Sequence, residues 1–277
     1  MAQGFGPRPC GGRPVESSVD GGRLRLTVLG SSNAIPRPGR ACSSYLIEGA
    51  GRAVVADLGS GALGNLYRHR TAESIDAVVV SHMHADHFFD LIPLRYALKY
   101  GPRTNDKKIA LWLPDDGEAM LRRLTSAFTP DSPNDFLGEV FDVGTYDATK
   151  GLHVGDLRLR FAAADHYVPT YALRCDAGGA SVTYSADTAP ADAIVELANE
   201  TDLFLCEATL RSGDLDSNPR GHTSAREAGE MAQRAAAATL ILTHYPAEFE
   251  PAFLEAQARE TFAGTIAVAD DHARFEP

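Results

Sequence analysis

The stretch VVVSHMHADHFFD, from Val78 to Asp90, places three histidines and two aspartates directly behind a run of valines. An apolar, β-branched run of this kind reads as a buried strand. Titratable side chains at its end lose their water, and without partners they destabilise the fold. In an extended segment His82 and His84 point to the same side, because side chains alternate with period two. If the chain then turns into a helix, Asp86 and His87 swing into the same space. Neutral imidazole and carboxylate are the donors that Zn²⁺ takes at about 2.0–2.2 Å. The other reading, a solvated charged turn, is opposed by the flanks AVVV and FFDLI, which imply burial. The cluster is therefore read as part of a metal centre.

One cluster cannot fill two coordination spheres, and further candidates share a pattern. His166 ends LRFAAADH, Asp187 ends SVTYSAD and His244 ends TLILTH. Each stands where an apolar strand stops. Taken singly, such a residue is more often a hydrogen-bonded structural group than a ligand. The presence of the His82–His87 cluster reverses that balance.

The rest of the chain bounds the context. It has 277 residues, 44% of them hydrophobic, with a net charge of −11. That charge opposes a broad nucleic-acid surface, which needs clustered Lys and Arg. Cys10, Cys42, Cys175 and Cys206 show no paired spacing, so reduced thiols in a cytoplasmic protein are expected. No apolar run reaches the roughly 18 residues of a membrane span. Residues 1–22, rich in Gly and Pro with no apolar middle, are expected to be a flexible tail; residues 23–277 then form one domain.

Short β-branched runs alternate with helical patterns at roughly 61–70, 88–100, 115–128, 190–200, 224–237 and 251–262, which indicates an α/β chain. The motif GSGALG, Gly59–Gly64, has the spacing of a dinucleotide fingerprint between a strand and a helix. However, the next strand ends in the histidine cluster, not in a lone ribose-binding acid, so the glycines are read as a tight strand-to-helix turn.

Several segments together resemble the metallo-β-lactamase superfamily, and within it the ribonuclease Z-like branch. SHMHADH is similar to the superfamily signature; LTVLGSSNAIPRPGRACSSYLI looks like the branch's opening strand, loop and second strand. DHYVPTYALR, YSADT, CEATL, GHTSAREAGE and LTHYP resemble its later motifs in order. The resemblance implies a four-layer αββα sandwich. It implies one metal held by His82, His84 and His166, a second held by Asp86, His87 and His244, and Asp187 bridging both. Zn²⁺ is the default metal, with Mn²⁺ or Fe²⁺ also compatible with such ligands. A metal-bridging hydroxide would be the nucleophile, and Asp86 would also orient it.

GHT at Gly221–Thr223 looks like a different branch's ligand motif. There a bridging Asp should follow before the final His, and none lies between Thr223 and His244. His166, followed by Asp187, fits better and frees His222. Ser224 and Glu227 fit a capping box, so a helix is predicted to start behind His222, beside unpaired backbone N–H groups. The resemblance implies that His222 stabilises the scissile phosphate or protonates the leaving oxygen, and that Glu207 orients it. The plainer readings are a capping residue and a strand-end salt bridge.

Transfer-RNA-trimming members of the branch carry a Gly/Pro-rich arm between the third His and the bridging Asp. Here Tyr167–Ala186 leaves room only for a strand, a turn at AGGA and a strand. The expected substrate is therefore a small phosphodiester such as a cyclic nucleotide. Hydrolysis of a lactone, thioester or β-lactam is the alternative, and transfer-RNA 3′-end processing ranks lower. A homodimer is implied by the branch, a membrane partner is not expected, and Tyr171, Phe88 and Tyr245 are candidates for the pocket wall.

Overall fold

Apolar side chains fill both faces of the central strands, as sheets covered on both sides require. In β1 (Arg25–Gly30) Leu26 and Val28 enter one core and Leu29 another. In β2 (Ser44–Gly49) Tyr45 and Ile47 enter the first core and Leu46 the second; β3 (Arg52–Ala56) divides Val54 and Ala56 from Ala53 and Val55 in the same way. The computed structural model describes residues 22–129, 136–213, 216 and 218–277. The expected tail, apart from Gly22, and Cys10 lie outside the described residues.

The first sheet runs antiparallel through β1, β2 and β3. It then runs parallel through β4 (Ala77–Val79), β5 (Ile109–Leu113) and β6 (Phe141–Thr145). The second sheet repeats this plan. β7 (Leu152–Val154), β8 (Leu157–Ala163), β9 (Tyr171–Ala177) and β10 (Ala180–Tyr184) are antiparallel; β11 (Leu203–Glu207), β12 (Thr239–Thr243) and β13 (Thr265–Val268) follow in parallel. Finally, β14 (Arg274–Phe275) returns to pair with β1.

The facing sides of the two sheets share one core, in which Val28, Tyr45, Ile47, Leu173, Val182 and Ile241 meet. The first sheet's outer face is covered by α1 (Ala62–Leu66), α3 (Leu91–Tyr100) and α4 (Gly117–Ser126), with the single turn α2 (Ala85–Phe88) between them. The second sheet's outer face is covered by α5 (Asp192–Leu197), α6 (Ala225–Arg234) and α7 (Pro251–Arg259). The layers are thus αββα, as the resemblance implied. No helix among the described residues is long and apolar enough to cross a membrane.

Six helices fall inside the spans read from sequence periodicity, each shortened at one or both ends. The strands not foreseen are β6, β7 and β14, and all three are sheet edges. Edge strands are short and polar because half of their hydrogen-bonding capacity faces outward, so FDVGT and LHV carry little strand pattern. Cys42, Cys175 and Cys206 are free and buried, in accord with reduced thiols.

GSGALG links β3 to α1. A Cβ on Gly59 would sit 1.9 Å from the Asp86 carbonyl oxygen and 2.8 Å from Cys42 Cβ, whereas one on Gly64 would meet nothing within 4 Å. Gly59 therefore lets the backbone of the histidine segment pass against it. Gly64 has no such duty on its exposed helix face. Gly59→Ala is expected to destabilise by upwards of about 2 kcal/mol, since backbone cannot yield like a flexible side chain. Gly64→Ala should instead stabilise by about 0.5–1 kcal/mol. Thermal melts of the two variants check the contrast.

Candidate metal centre

The cluster gathers where strands of both sheets stop at one end. Three of these exits turn sharply through left-handed backbone at non-glycine residues: Asp57 after β3 (φ 56°), Ala186 after β10 (φ 54°) and His244 after β12 (φ 50°). Each such residue costs about 1–3 kcal/mol and persists where surrounding packing fixes it. Asp57, Ala186, Asp187 and His244 are all buried. β4 leads through Val80 and Ser81 to His82, and α2 then carries Asp86 and His87. The turn from strand to helix thus brings His82, His84, Asp86 and His87 together.

Two groups of donor atoms result. His82, His84 and His166 form one; Asp86, His87, Asp187 and His244 form the other, with the donor atoms of each within 4.8 Å of one another. His166 Nε2 lies 3.1 Å from His84 Nδ1. Asp187 Oδ2 lies 3.3 Å from His87 Nε2 and 3.2 Å from His244 Nε2, while Asp86 Oδ2 lies 3.4 Å from His87 Nε2. Two donors about 2.0–2.1 Å from one tetrahedral ion would themselves stand roughly 3.3 Å apart. Asp187 Oδ2 is also 3.8 Å from His82 Nε2, so this carboxylate stands between the two groups. His82 Nε2, His87 Nε2 and Asp187 Oδ1 are buried without a hydrogen-bond partner. Such orphaned atoms are costly, and a pair of cations would satisfy all of them. The residues present fit a dinuclear site.

The outer ring nitrogens are held from behind. His87 Nδ1 meets Asp57 Oδ2 at 2.7 Å, His244 Nδ1 meets Ser43 Oγ at 2.7 Å, and His82 Nδ1 meets Ser81 Oγ at 3.0 Å. His166 Nδ1 donates to the Gly221 carbonyl at 2.7 Å. Four imidazoles thereby turn Nε2 inward, an arrangement that fixes tautomer and orientation for metal ligation. Asp57 is the hub. It also accepts the Ser81 N–H at 2.6 Å, the Ser81 hydroxyl at 2.8 Å and the Tyr184 hydroxyl at 2.9 Å.

The electrostatics divide the histidines. Burial, reinforced by neighbouring histidines, pushes the pKa of His82 well below the ordinary range and lowers His84 as well; His166 is also lowered, chiefly by burial. All three are neutral lone-pair donors. Burial opposes charge on His87, yet Asp187 and Asp57 outweigh it and hold its pKa well above normal. Burial also works against ionisation of Asp187, but His244 and His87 keep its carboxyl well below the usual carboxylate range. The second group thus holds its carboxylates charged and draws positive charge into itself.

His222 stands at the rim of both groups, its ring centroid 5.0 Å from that of His166. Its Nδ1 is 2.9 Å from Glu207 Oε1, and the buried Glu207 also accepts the Thr188 N–H at 2.8 Å. Burial lowers the basicity of His222, and the Glu207 hydrogen bond and charge more than reverse this, to a pKa of about 9. The capping box expected at Ser224 and Glu227 starts α6 two residues beyond His222. His222 also lies within 4.8 Å of His166 and Asp187, so proximity alone leaves it a further candidate donor.

A cavity of about 100 Å³ opens over the cluster, lined by Asn33, Ala34, His84, Asp86, Asp187, Thr209, His222 and His244. The candidate wall residues are not there. Phe88 and Tyr245 are buried, and Tyr171 packs edge-on against Tyr146 at 5.6 Å. Sequence reasoning missed Asn33, Thr209, Asp57 and Ser43. Asp57 carried one usable signal, a carboxylate at the end of the apolar strand RAVVA; the other three carried none.

The profile of the β-lactamase superfamily domain matches residues 52–245. An uncharacterized protein of Mycobacterium leprae is 34% identical over 245 residues, 88% of this chain and 85% of its own length. YhfI of Bacillus subtilis, a probable metallo-hydrolase, is 29% identical over 255 residues, 89% of this chain and 97% of its own. Its crystal structure, of a metallo-β-lactamase fold protein, superposes with a TM-score of 0.83 and 27% identity over 92% of this chain and 100% of that one. Ribonuclease Z of Mycobacterium bovis is 28% identical over 280 residues, 91% of this chain and 98% of its own. The chain belongs to the metallo-β-lactamase superfamily, in its ribonuclease Z-like branch, and is a metallo-hydrolase of that superfamily.

Asp57 gives a test of the site's outer layer. Asp57→Asn keeps the shape but removes the carboxylate that holds His87. Metal affinity is expected to fall about 10–100-fold. Titration with a competing chelator measures it.

Proposed function

We propose that the protein hydrolyses a small phosphodiester, of which a cyclic nucleotide is one example, with two divalent metal ions as cofactors. The observation that carries this reading is the His222–Glu207 pair, an imidazole raised in basicity at the edge of the donor cluster. A leaving alkoxide needs a proton, and a positioned imidazolium supplies one. The relative named ribonuclease Z, whose name specifies cleavage of RNA, lends phosphodiester chemistry further support. The interval Tyr167–Ala186 is filled by β9, a Gly178–Gly179 turn and β10, which favours a small substrate over transfer RNA.

In this reading His82, His84 and His166 would hold one ion, Asp86, His87 and His244 the other, and Asp187 would serve both. Zn²⁺ suits three neutral imidazoles best, and Mn²⁺ or Fe²⁺ would be accepted. Two such ions supply an activated water at neutral pH and draw charge from the ester oxygens. Asp86 lines the cavity, where its carboxylate would orient the attacking water. Glu207 accepts the Nδ1 proton of His222, which leaves the Nε2 proton for the leaving oxygen. The buried Glu207 is a positioning residue, and by stabilising the imidazolium it keeps His222 protonated near neutrality.

The direct test is hydrolysis of bis(p-nitrophenyl) phosphate by Zn²⁺- or Mn²⁺-loaded protein, beside a chelator-treated sample and a panel of lactones, thioesters and β-lactams. Metal-dependent cleavage of the diester is expected; turnover confined to the carbonyl substrates would overturn the reading. His222→Ala should lower kcat about 10²–10⁴-fold while bound metal stays at the wild-type level, read by elemental analysis. An emptied metal site would make His222 a ligand.

The pH profile offers a separate check. His222 acts in its protonated form, so the rate falls as pH rises through its pKa, and Glu207 raises that pKa. Glu207→Gln removes the charge and should move the alkaline limb of kcat/KM to lower pH.

A further inference from the structure

One stretch of the cavity wall has no role in the mechanism above. It is formed by the segment between β1 and β2, whose Asn33 and Ala34 line the cavity. One carboxylate pins this segment at both ends. Asp271 accepts from the Ser31 N–H at 3.0 Å, the Ser31 hydroxyl at 2.8 Å and the Ala41 N–H at 2.7 Å. Within the segment the Ser32 hydroxyl donates to the Ile35 carbonyl at 2.7 Å, and Ser32 bridges to Cys42 and to Tyr245, the neighbour of His244. The wall is held in place before any substrate arrives.

The Asn33 carboxamide is fixed as well. Its Oδ1 accepts the Ile35 N–H at 3.2 Å. A backbone N–H only donates, so the atom facing it is the oxygen, and the hydrogen bond itself decides the amide's orientation. Nδ2 then carries two N–H donors with no protein acceptor among the described residues. Farther along, Arg37 lays its guanidinium over the Tyr245 ring at 5.1 Å, with Nε and Nη2 buried and unpaired. On a chain of net charge −11, this segment offers free donors and uncompensated positive charge.

We infer that Asn33 is a substrate-orienting residue whose Nδ2 donates to a non-bridging oxygen of a phosphodiester bound in the cavity that His222 also lines. The inference rests on the phosphodiesterase reading. A phosphodiester's two non-bridging oxygens only accept hydrogen bonds, and they share one negative charge. A carboxamide whose own oxygen is engaged presents donors alone on that side, so it holds such an oxygen without repelling it. Asn33 and His222 line one cavity, so a phosphate held by Asn33 is positioned with its leaving oxygen within reach of the imidazole.

Asn33→Asp and Asn33→Ala separate this role from turn formation. Asp retains the acceptor for the Ile35 N–H and replaces both donors with a charge that repels the substrate. Ala removes the acceptor and the donors together. With bis(p-nitrophenyl) phosphate and metal-loaded protein, kcat/KM is expected to fall about 10-fold in Asn33→Ala, the loss of one hydrogen bond to a charged group. It should fall further, about 100-fold, in Asn33→Asp, where like-charge repulsion is added. Metal content is expected to equal wild type in both. An Asn33→Asp enzyme with wild-type kcat/KM beside an impaired Asn33→Ala enzyme would reduce Asn33 to a turn-forming residue and overturn the inference. Loss of metal in Asn33→Asp would overturn it too, because the effect would then run through the ligands. A wild-type protein inert towards the diester would remove the phosphodiesterase reading and this inference together, whereas an active wild type with an unaffected Asn33→Asp variant removes this inference alone.

Discussion

Seven ligand-type side chains from two sheets converge at the end of a shared apolar core, and their burial is tolerable only with compensating charge. His82 and His87 have no exposure, and Asp187 and His244 have 2% each. Groups so deprived of water destabilise a fold when unpaired. Here each histidine except His84 has its Nδ1 engaged from behind, and the inward atoms face one another at 3.1–3.9 Å. Most of these separations exceed the usual hydrogen-bond distance of about 2.9–3.0 Å, and the spacing suits donors arranged around a common ion. The twin-sheet architecture follows this need. Each sheet delivers strand ends to the same edge: β4 leads to His82, and β10 and β12 lead to Asp187 and His244.

Core and site are one construction. Tyr45 and Tyr184 lie in the inter-sheet core with ring centroids 4.7 Å apart. The Tyr184 hydroxyl donates to Asp57, and Tyr45 shares a 2.9 Å hydrogen bond with Thr243, the residue before His244. Packing of these rings thus fixes groups that in turn fix His87 and His244. Burial drives the Tyr184 hydroxyl well above its ordinary pKa and Tyr45 above the normal range too, so both stay protonated and serve as hydrogen-bond partners.

Much of this was legible in the sequence, for a definite reason. His166, Asp187 and His244 each stand at the end of a largely apolar or β-branched run, and a metal-type donor at that point is conspicuous because the run itself marks a buried strand. His82, His84, Asp86 and His87 are conspicuous by density. The helices were legible from amphipathic period, and the capping box at Ser224 from its spacing. What stayed hidden has no local pattern. Asn33 is one small polar residue in a loop of Ser, Pro and Gly, and its place over the cluster depends on Asp271, 240 residues away from Ser31. Ser43 serves His244 across a sequence separation of 201. Three of the four edge strands, β6, β7 and β14, were hidden because they are short and carry polar residues.

The central claim is that two cations complete this cluster, and metal stoichiometry tests it most directly. Protein loaded with Zn²⁺ or Mn²⁺ and freed of excess by gel filtration would be assayed by elemental analysis, and its Tm compared with that of a chelator-stripped sample. The account expects two equivalents of metal per chain. It also expects a lower Tm after stripping, because a ligand bound only to the folded state stabilises it. Less than one equivalent bound, with a Tm indifferent to chelation, would contradict it.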